Sequence, residues 1–179
     1  MLEQANGIEI LHDETLSARK CGAKRKGELS ELAFMHKAVS LGFGVAKPYG
    51  DSERYDFIVD SGERLWRVQV KSTSAMQYGA YRLNTQRNTN GRALPYMVGE
   101  IDFVLGQVVP EDTWFVLPVE AFSPRKSVAL YARDDRRVGE YSRYREAWHL
   151  LTPKGDVLPQ ACLGARCPKL RALETLRNP

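Results

Sequence analysis

The segment Arg64–Thr73, RLWRVQVKST, places a carboxamide and an amine where they could do chemistry together. Apolar residues alternate with polar ones along it, which predicts a half-buried strand. Since the side chains of a strand point alternately to its two faces, Gln69 and Lys71 project side by side, roughly 7 Å apart. The sequence therefore predicts a polar face that could assemble a site.

A hairpin over residues 55–71 would bring an acid to the same face. Opposite residues of an antiparallel pair share a face, so hiding the apolar faces of both strands together requires a connection of even length. A two-residue turn and a four-residue loop, each starting at Ser61, both satisfy this parity. In either case Asp56 shares a face with Gln69 and Lys71. The four-residue loop also places Asp56 directly opposite Gln69.

A carboxylate, a neutral oxygen ligand and an ammonium are the groups that metal-assisted hydrolysis of a phosphodiester uses. Mg²⁺ takes hard oxygen ligands, usually one or two carboxylates together with water and substrate phosphate. A lysine beside it can position or help deprotonate the attacking water and can offset charge that develops on phosphorus. The alternative, from these two strands alone, is an exposed polar face with an Asp56–Lys71 ion pair.

A helix is predicted over Gly27–Leu41, where Gly42 stops it and the apolar stripe comprises Leu29, Leu32, Ala33, Val39 and Leu41. Glu28 and Glu31 lie one turn apart in it, directly after the basic string KRK. Either could add a second carboxylate to a metal site. The alternative is that acids simply favour the N-terminus of a helix.

The rest of the chain predicts one α/β domain in which strands outnumber helices. The predicted strands are FGVAKP, YDFIVD, LWRVQVKS, YGAYRLNT, EIDFVLGQVV, TWFVLP and SVALYA. QRNTNGRALP is predicted to be a polar loop. A second helix is predicted over EYSRYREAWHLL, with an aromatic stripe that is typical of a core face: Tyr141, Tyr144, Trp148 and Leu151.

Composition and charge exclude several classes of protein. The 179 residues suit one domain, and 43% of them are hydrophobic. No run of about 18 apolar residues predicts a membrane span, and the N-terminus lacks the apolar core of a signal peptide, which indicates a cytoplasmic protein. The net charge of +4 is compatible with a polyanionic partner without requiring one.

The three cysteines are odd in number and scattered, which argues against a disulfide framework. Cys162 and Cys167 are close in sequence, but no second close pair of cysteines or histidines completes four zinc ligands. Basic clusters occur around Arg19–Lys26 and in the last third of the chain. Each one alone is typical of solvated surface.

The strings KGELSELA, GFGVAKPYGDSERYDFIVD and RVQVKS, in this order, resemble the PD-(D/E)XK nuclease superfamily. The similarity is strongest to intron-encoded (group I) homing endonucleases of that type and related bacterial proteins, and more distant to archaeal Holliday-junction resolvases. The signature covers residues 24–73 and continues weakly to YREAWHLL. It implies an α/β restriction-endonuclease-like core in the order α-β-β-β-α-β, with a mixed central sheet flanked by helices.

The resemblance implies three segments, namely an N-terminal extension over 1–24, a nuclease-like domain over 25–151 and a C-terminal extension over 152–179. It also implies a catalytic set, comprising Glu31, Asp56, Gln69 and Lys71. Asp56, Gln69, Glu31 and the backbone carbonyl of Val70 would be the metal ligands. The implied cofactor is Mg²⁺, for which Mn²⁺ could substitute.

The sequence departs from the superfamily pattern at two positions. Tyr55-Asp56 stands where the pattern has Pro-Asp, a common change in divergent members. Gln69 stands where most members have Glu or Asp, so that only Glu31 and Asp56 supply negative charge. A carboxamide oxygen can ligate Mg²⁺ but brings no charge, which predicts weaker metal binding. The intron-encoded branch also uses Gln here, so the site is not interpreted as inactive.

The implied partner is double-stranded or branched DNA, approaching the polar face of the sheet. Candidate DNA contacts are Lys26, Arg54, Ser72, Arg82, Asn84, Arg87, Asn88 and Arg92, which could bind phosphates or base edges. A solvated loop is the alternative for each of them. Glu100 and Asp102 are interpreted as structural acids.

Three hypotheses follow from the residues and the resemblance. The first is a Mg²⁺-dependent DNA endonuclease, homing-endonuclease-like and assembled as a homodimer or homotetramer, since symmetric assemblies let small domains address two strands. The second is a DNA-binding module on a nuclease fold without turnover, which Gln69 keeps open. The third is a Holliday-junction resolvase-like nuclease, which differs in substrate but not in chemistry.

Overall fold

The computed structural model describes residues 22–50, 52–89, 91–133 and 138–152. The three cysteines, Arg19 and Lys20 lie outside these ranges, as do most of the N-terminal extension and all but one residue of the C-terminal extension. Within the described residues, no helix is both long and apolar enough to cross a membrane.

The elements follow in the order α1 (Ala23–Ser40), β1 (Gly44–Ala46), β2 (Phe57–Asp60), β3 (Leu65–Thr73), β4 (Met76–Gln77), β5 (Ala80–Asn84), β6 (Gln86–Thr89), β7 (Arg92–Pro95), β8 (Phe103–Val108), β9 (Thr113–Pro118), α2 (Val119–Phe122) and β10 (Ser127–Leu130). Short 3-10 helices occupy Val109–Glu111, Ser142–Tyr144 and Trp148–Leu151.

The central sheet has the strand order β1-β2-β3-β8-β9. Its pairs are antiparallel except for β3 and β8, which run parallel with Val68 opposite Phe103 and Thr73 opposite Val108. This mixed sheet confirms the α/β class. Parallel neighbours need a long crossover, usually a helix, but here the described residues between β3 and β8 form strands β4 to β7.

Helix α1 packs on one face of the central sheet. It buries Ser30, Phe34 and Ala38, and the Phe34 ring lies 5.0 Å from Phe57, centroid to centroid. The predicted stripe was wrong for Leu29, Leu32 and Val39, which are exposed. The physical reason is that the face packed on the sheet is the one that carries large Phe34, with the small buried residues Ser30 and Ala38 one turn away on each side.

The start of α1 also differs from the prediction. The helix begins at Ala23, four residues before Gly27, and its first turn contains no acid. Lys24, Arg25 and Lys26 therefore lie within the helix and not ahead of it. Glu28 and Glu31 consequently lie beyond the first turn, where the favourable interaction of an acid with the helix N-terminus has faded.

The opposite face of the central sheet is covered by a second, three-stranded sheet of order β10-β5-β4. Leu83 of β5 packs there with Val104 and Val108 of β8. Gly106 lies close to β5, since an added Cβ would lie 2.5 Å from a Leu83 methyl carbon. Gly106 thus permits contact between the two sheets.

Asp102 ties the start of β8 to β3, which supports its interpretation as structural. Its carboxylate accepts hydrogen bonds from the Arg67 backbone N–H at 2.8 Å, Nε at 3.2 Å and Nη2 at 3.0 Å. The Asp102 N–H donates in return to the Arg67 carbonyl at 2.9 Å. The guanidinium beside it holds the pKa of Asp102 below its usual value, against the opposing effect of burial.

Two predicted elements were wrong. The segment Gln86–Pro95 is not an irregular loop, because β6 and β7 form an antiparallel hairpin with Gln86 opposite Pro95. The helix predicted over Glu140–Leu151 is two 3-10 helices, because Glu146 has a positive φ of 48° and its N–H donates to the Trp114 carbonyl at 2.8 Å. The residues of the predicted stripe are nevertheless buried: Tyr141, Tyr144, Trp148 and Leu151.

Candidate active site

The β2–β3 hairpin has the register that brings Asp56 opposite Gln69. Asp60 pairs with Leu65, so residues 61–64 form a four-residue loop. Asp56 lies one position before β2, and its N–H donates to the Val68 carbonyl at 2.9 Å. Of the two connections that satisfied parity, the structure has the longer one.

The Asp56 carboxylate is bound from β3. Its Oδ2 accepts hydrogen bonds from Gln69 Nε2 at 2.5 Å and from the Val70 backbone N–H at 2.9 Å. Gln69 is 8% exposed. Because the carboxamide nitrogen is committed to Asp56, the Gln69 oxygen remains available as a ligand. Gln69 can thus orient Asp56 and present an oxygen at the same time.

The environment of Asp56 favours a neighbouring cation. Burial raises the pKa of this carboxyl, and Glu31 raises it further, whereas the Val70 N–H, the Lys71 ammonium and Gln69 lower it. Burial prevails, so the pKa lies above its usual value. A bound cation would offset the cost of keeping the carboxylate ionised there.

Lys71 lies on the same face of β3 and is largely enclosed. Burial lowers the pKa of its amine, although Asp56 and Glu31 act in the opposite direction. Its Nζ lies 5.9 Å from the ring centroid of Tyr96, a side chain that is only 2% exposed. Burial also raises the pKa of the Tyr96 phenol, which keeps this neighbour neutral. Sequence reasoning missed Tyr96, since it follows β7 with no motif around it.

Glu31 reaches the site from α1, but its carboxylate is already paired. Lys47, just after β1, donates from Nζ to Glu31 Oε2 at 2.6 Å. That hydrogen bond is the main cause of the raised pKa of Lys47. Both side chains are partly exposed, so the ion pair contributes little stability and a metal ion could compete for Glu31. Sequence reasoning missed Lys47, whose only signal is its place between β1 and Pro48.

An open cavity of about 830 Å³ brings the four predicted catalytic residues together. Its lining comprises Ala23, Lys26, Gly27, Leu29, Ser30, Glu31, Asp56, Gln69, Val70, Lys71, Ser72, Thr73, Ser74, Gln107 and Val109. Two acids, Glu31 and Asp56, stand among neutral and basic groups. In the described part of the chain, no group of three His, Cys, Asp or Glu side chains could hold a metal ion.

The donor set nevertheless fits a hard divalent cation. Asp56 and Glu31 provide carboxylate oxygens, and Gln69 provides a carboxamide oxygen. Val70, whose carbonyl was predicted to be a further ligand, also lines the cavity. Mg²⁺ is bound in proteins through one or two carboxylates, with the remaining positions held by water and substrate phosphate. The chemistry of the donors supports a metal with few protein ligands.

The predicted DNA contacts fall into three groups. Lys26 and Ser72 line the cavity. Arg54 and Arg87 both pair with the Glu100 carboxylate, and their contact with DNA stays a prediction. The remaining four are exposed on β5 and on the β6–β7 hairpin: Arg82, Asn84, Asn88 and Arg92.

Glu100 is held in place by several contacts, in agreement with its interpretation as structural. Besides the two arginines, it accepts a hydrogen bond from the Met97 N–H at 3.0 Å. Arg87 also donates to Thr89 Oγ1 at 2.7 Å. Glu100 therefore fixes the base of the β6–β7 hairpin against the segment that carries Arg54.

Comparison with known proteins shows similarity to one family profile and to solved structures. The family profile described as PD-(D/E)XK endonuclease matches residues 21–151. Among solved structures, the chain is similar to a bacterial homing endonuclease, I-Ssp6803I, with 34% sequence identity and a TM-score of 0.62. The match covers 73% of this chain and 91% of the homing endonuclease. A search of curated proteins found no match.

The matched range contains every side chain of the candidate site, from Glu31 on α1 to Lys71 on β3. The profile match spans well over half of the sequence and coincides with the described fold. The chain belongs to the PD-(D/E)XK endonuclease family.

Proposed function

We propose that this protein is a metal-dependent DNA endonuclease that hydrolyses phosphodiester bonds by activated water, in the manner of a homing endonuclease. The observation that carries the proposal is the meeting of Asp56, Gln69 and Lys71 in one cavity, with Glu31 at its wall. Family membership and the likeness to a bacterial homing endonuclease support it. The proposed substrate is double-stranded or branched DNA.

Mg²⁺ is the proposed cofactor, with Mn²⁺ able to substitute. Asp56, Gln69, Glu31 and the Val70 carbonyl would hold it. When bound, such an ion supplies Lewis acidity toward a phosphoryl oxygen. Because the donor set contains two carboxylates and neutral oxygens, we expect weak affinity, and the substrate phosphate would complete the coordination.

The side chains of the chain itself supply orientation and charge. Gln69 holds Asp56 through its Nε2 donor. Lys71 places a largely desolvated ammonium next to the position of the scissile phosphate, where it can stabilise negative charge in the transition state. Once the Glu31 carboxylate is released from Lys47, it can accept a proton from the attacking water.

The direct test uses purified protein with supercoiled plasmid and with a synthetic four-way junction. Each substrate is incubated with Mg²⁺, with Mn²⁺ and with EDTA. We expect cleavage with either metal and none with EDTA. Absence of cleavage of both substrates in both metals would overturn the proposal of an active endonuclease.

A second candidate function is a DNA-binding module without turnover. Neutral Gln69 and the Lys47–Glu31 ion pair favour it, because both reduce the negative charge available to a metal. Intact DNA affinity without Mg²⁺ or Mn²⁺ binding would select it. Cleavage of junctions, with no preference among duplex sequences, would instead select a resolvase-like nuclease. For either nuclease we propose a homodimer or homotetramer, because each strand needs its own site.

The substitution Gln69→Glu should tighten Mg²⁺ binding by about tenfold or more, because it adds a charged ligand. Without metal, the same change should lower the melting temperature, since two carboxylates at the Asp56–Gln69 position repel one another. Calorimetric titration and thermal unfolding, each with and without Mg²⁺, measure the two effects. Gln77→Glu on exposed β4 is the matched control. Unchanged Mg²⁺ affinity would show that Gln69 is not a ligand.

A further inference from the structure

Gln107 on β8 is a largely buried residue whose amide has no hydrogen-bond partner among the described residues. The residue as a whole is 8% exposed. Its amide atoms are not fully enclosed, because Arg87 Nε is the one fully buried side-chain nitrogen or oxygen without a partner in the described chain. Gln107 lines the cavity, so we place its amide at the cavity surface, where it can hydrogen-bond to water or to a ligand.

The direct strand partners of Gln107 are Ser72 of β3 on one side and Trp114 of β9 on the other. Ser72 is its direct partner in the parallel β3–β8 pair, so both side chains lie on one face of the sheet. That is the face on which α1 packs, since Leu105, two positions before Gln107, shares a core with Phe34 and Ala38. Lys26, from the first part of α1, lines the same cavity.

The N-terminus of α1 adds a further positive contribution. This 18-residue helix has no acid in its first turn, and its residues Ala23, Lys26 and Gly27 line the cavity. The free N–H groups of a first turn attract anions, and phosphate groups in particular. The unpartnered amide of Gln107, a residue that is more than nine-tenths buried, is a second and independent feature of the same cavity.

The lining of the cavity carries two kinds of group. Gln107, Ser72 and Lys26 contribute donors and a positive charge, whereas Asp56 and Glu31 contribute the carboxylates. Neighbouring residues of a strand face opposite sides of its sheet, so Ser72 and Lys71 point in different directions. A DNA strand carries a phosphate at every nucleotide and could contact both kinds of group together.

We propose that Gln107, Ser72, Lys26 and the first-turn amides of α1 form a subsite for a second phosphate of the DNA strand that is cut. The subsite would fix the strand beside the scissile phosphate without contacting the reacting atoms. The inference rests on the proposed function, because it takes DNA as the substrate. It assigns Gln107 a role in positioning the substrate.

The test measures binding of a fluorescent random-sequence DNA duplex by anisotropy in EDTA, so that no cleavage occurs. Gln107→Leu should weaken binding by about threefold to tenfold, the loss of affinity expected when one hydrogen bond is removed. Gln107→Glu should weaken it by about tenfold or more, because it opposes a phosphate with a charge of the same sign. The matched control Gln77→Glu adds the same charge on exposed β4 and should have a smaller effect.

A double-mutant cycle shows whether Gln107 and Lys26 share one phosphate. The losses of affinity in Lys26→Ala and Gln107→Leu should then be non-additive in the double variant. Lys26→Ala should also lower the slope of log affinity against log salt by about one. Thermal unfolding identifies any variant that fails to fold, and Gln107→Leu decides the result where Gln107→Glu is unfolded.

Three outcomes would overturn the subsite. The first is equal loss in Gln107→Glu and Gln77→Glu, the second is unchanged binding by folded Gln107→Leu, and the third is absence of duplex binding by the wild-type protein. Failure of the endonuclease proposal has a different signature. In that case the wild-type protein binds DNA and shows the Gln107 effect, but cuts neither plasmid nor junction in Mg²⁺ or Mn²⁺.

Discussion

The substitution Lys71→Ala should slow Mg²⁺-dependent DNA cleavage by about 10²- to 10⁴-fold, the range typical of a lost catalytic acid, base or charge-stabilising group. The reason lies in the environment of this amine. Burial lowers its pKa, while Asp56 and Glu31 raise it, so its charge acts in a poorly solvated site. Charge there stabilises a developing anion more strongly than charge in water. Single-turnover cleavage rates with saturating protein measure the loss.

Lys126→Ala is the matched control, because Lys126 is an exposed lysine outside the cavity. Lys71→Met, which retains an unbranched side chain against Tyr96, separates loss of charge from loss of packing and should be as slow as Lys71→Ala. Cleavage at the wild-type rate by folded Lys71→Ala would exclude Lys71 from the reaction. An equal loss in Lys126→Ala would indicate a general effect of positive charge on DNA binding.

The face of the β2–β3 hairpin that carries the candidate site could be predicted from sequence, because strand periodicity and hairpin parity determine it. The period of two in a strand put Gln69 and Lys71 side by side. The parity of a hairpin put Asp56 with them, and the observed register has that arrangement. None of these steps needs knowledge of a distant residue.

The features that sequence reasoning missed depend on long-range partners. The apolar stripe of α1 was misplaced because the helix packs on the sheet through Phe34 and the small residues Ser30 and Ala38, and not through its exposed leucines. The helix predicted after residue 140 does not form, because Glu146 binds the Trp114 N–H at 2.7 Å. Its other carboxylate oxygen accepts from Trp148 Nε1 at 2.8 Å. Helix propensity is a local property, so it reveals neither the packing face of α1 nor the hydrogen bond between Glu146 and Trp114.

The sequence could not predict the charge pairs, because their members are distant along the chain. Arg54 and Arg87 lie 33 positions apart, yet both pair with Glu100. Glu31 is a predicted metal ligand, and its ion pair with Lys47, 16 positions away, shows which charge a metal ion would have to displace.

The substitution Asp56→Asn should have two opposite effects, a loss of cleavage by about 10³-fold or more and a gain in stability of the metal-free protein. Cleavage is lost because a metal ligand contributes to several kcal/mol of transition-state stabilisation. Stability increases because burial raises the pKa of Asp56, so the folded protein keeps an unfavourable carboxylate at neutral pH. Asparagine retains an oxygen that can accept from Gln69 and Val70.

The gain in stability should depend on pH. A carboxyl whose pKa is raised by folding binds its proton more tightly in the folded state, so it stabilises the fold at low pH. That contribution is lost as pH rises through the folded pKa, which lies above the reference value of 3.8. The melting temperature of Asp56→Asn in EDTA should therefore exceed that of the wild type at pH 7, and the difference should vanish toward pH 4.

Asp60→Asn is the matched control for both measurements. Asp60 is exposed at the end of the same strand, and its Oδ1 accepts from the Gly62 N–H at 2.7 Å, a bond that asparagine can keep. We expect near-wild-type cleavage and melting temperature for this variant. Mg²⁺ should raise the melting temperature of the wild type and of Asp60→Asn but not that of Asp56→Asn, since ligand binding to the folded state stabilises it. A melting temperature that falls in Asp56→Asn at pH 7 would show that the carboxylate stabilises the fold, and that the site is not arranged around an absent cation.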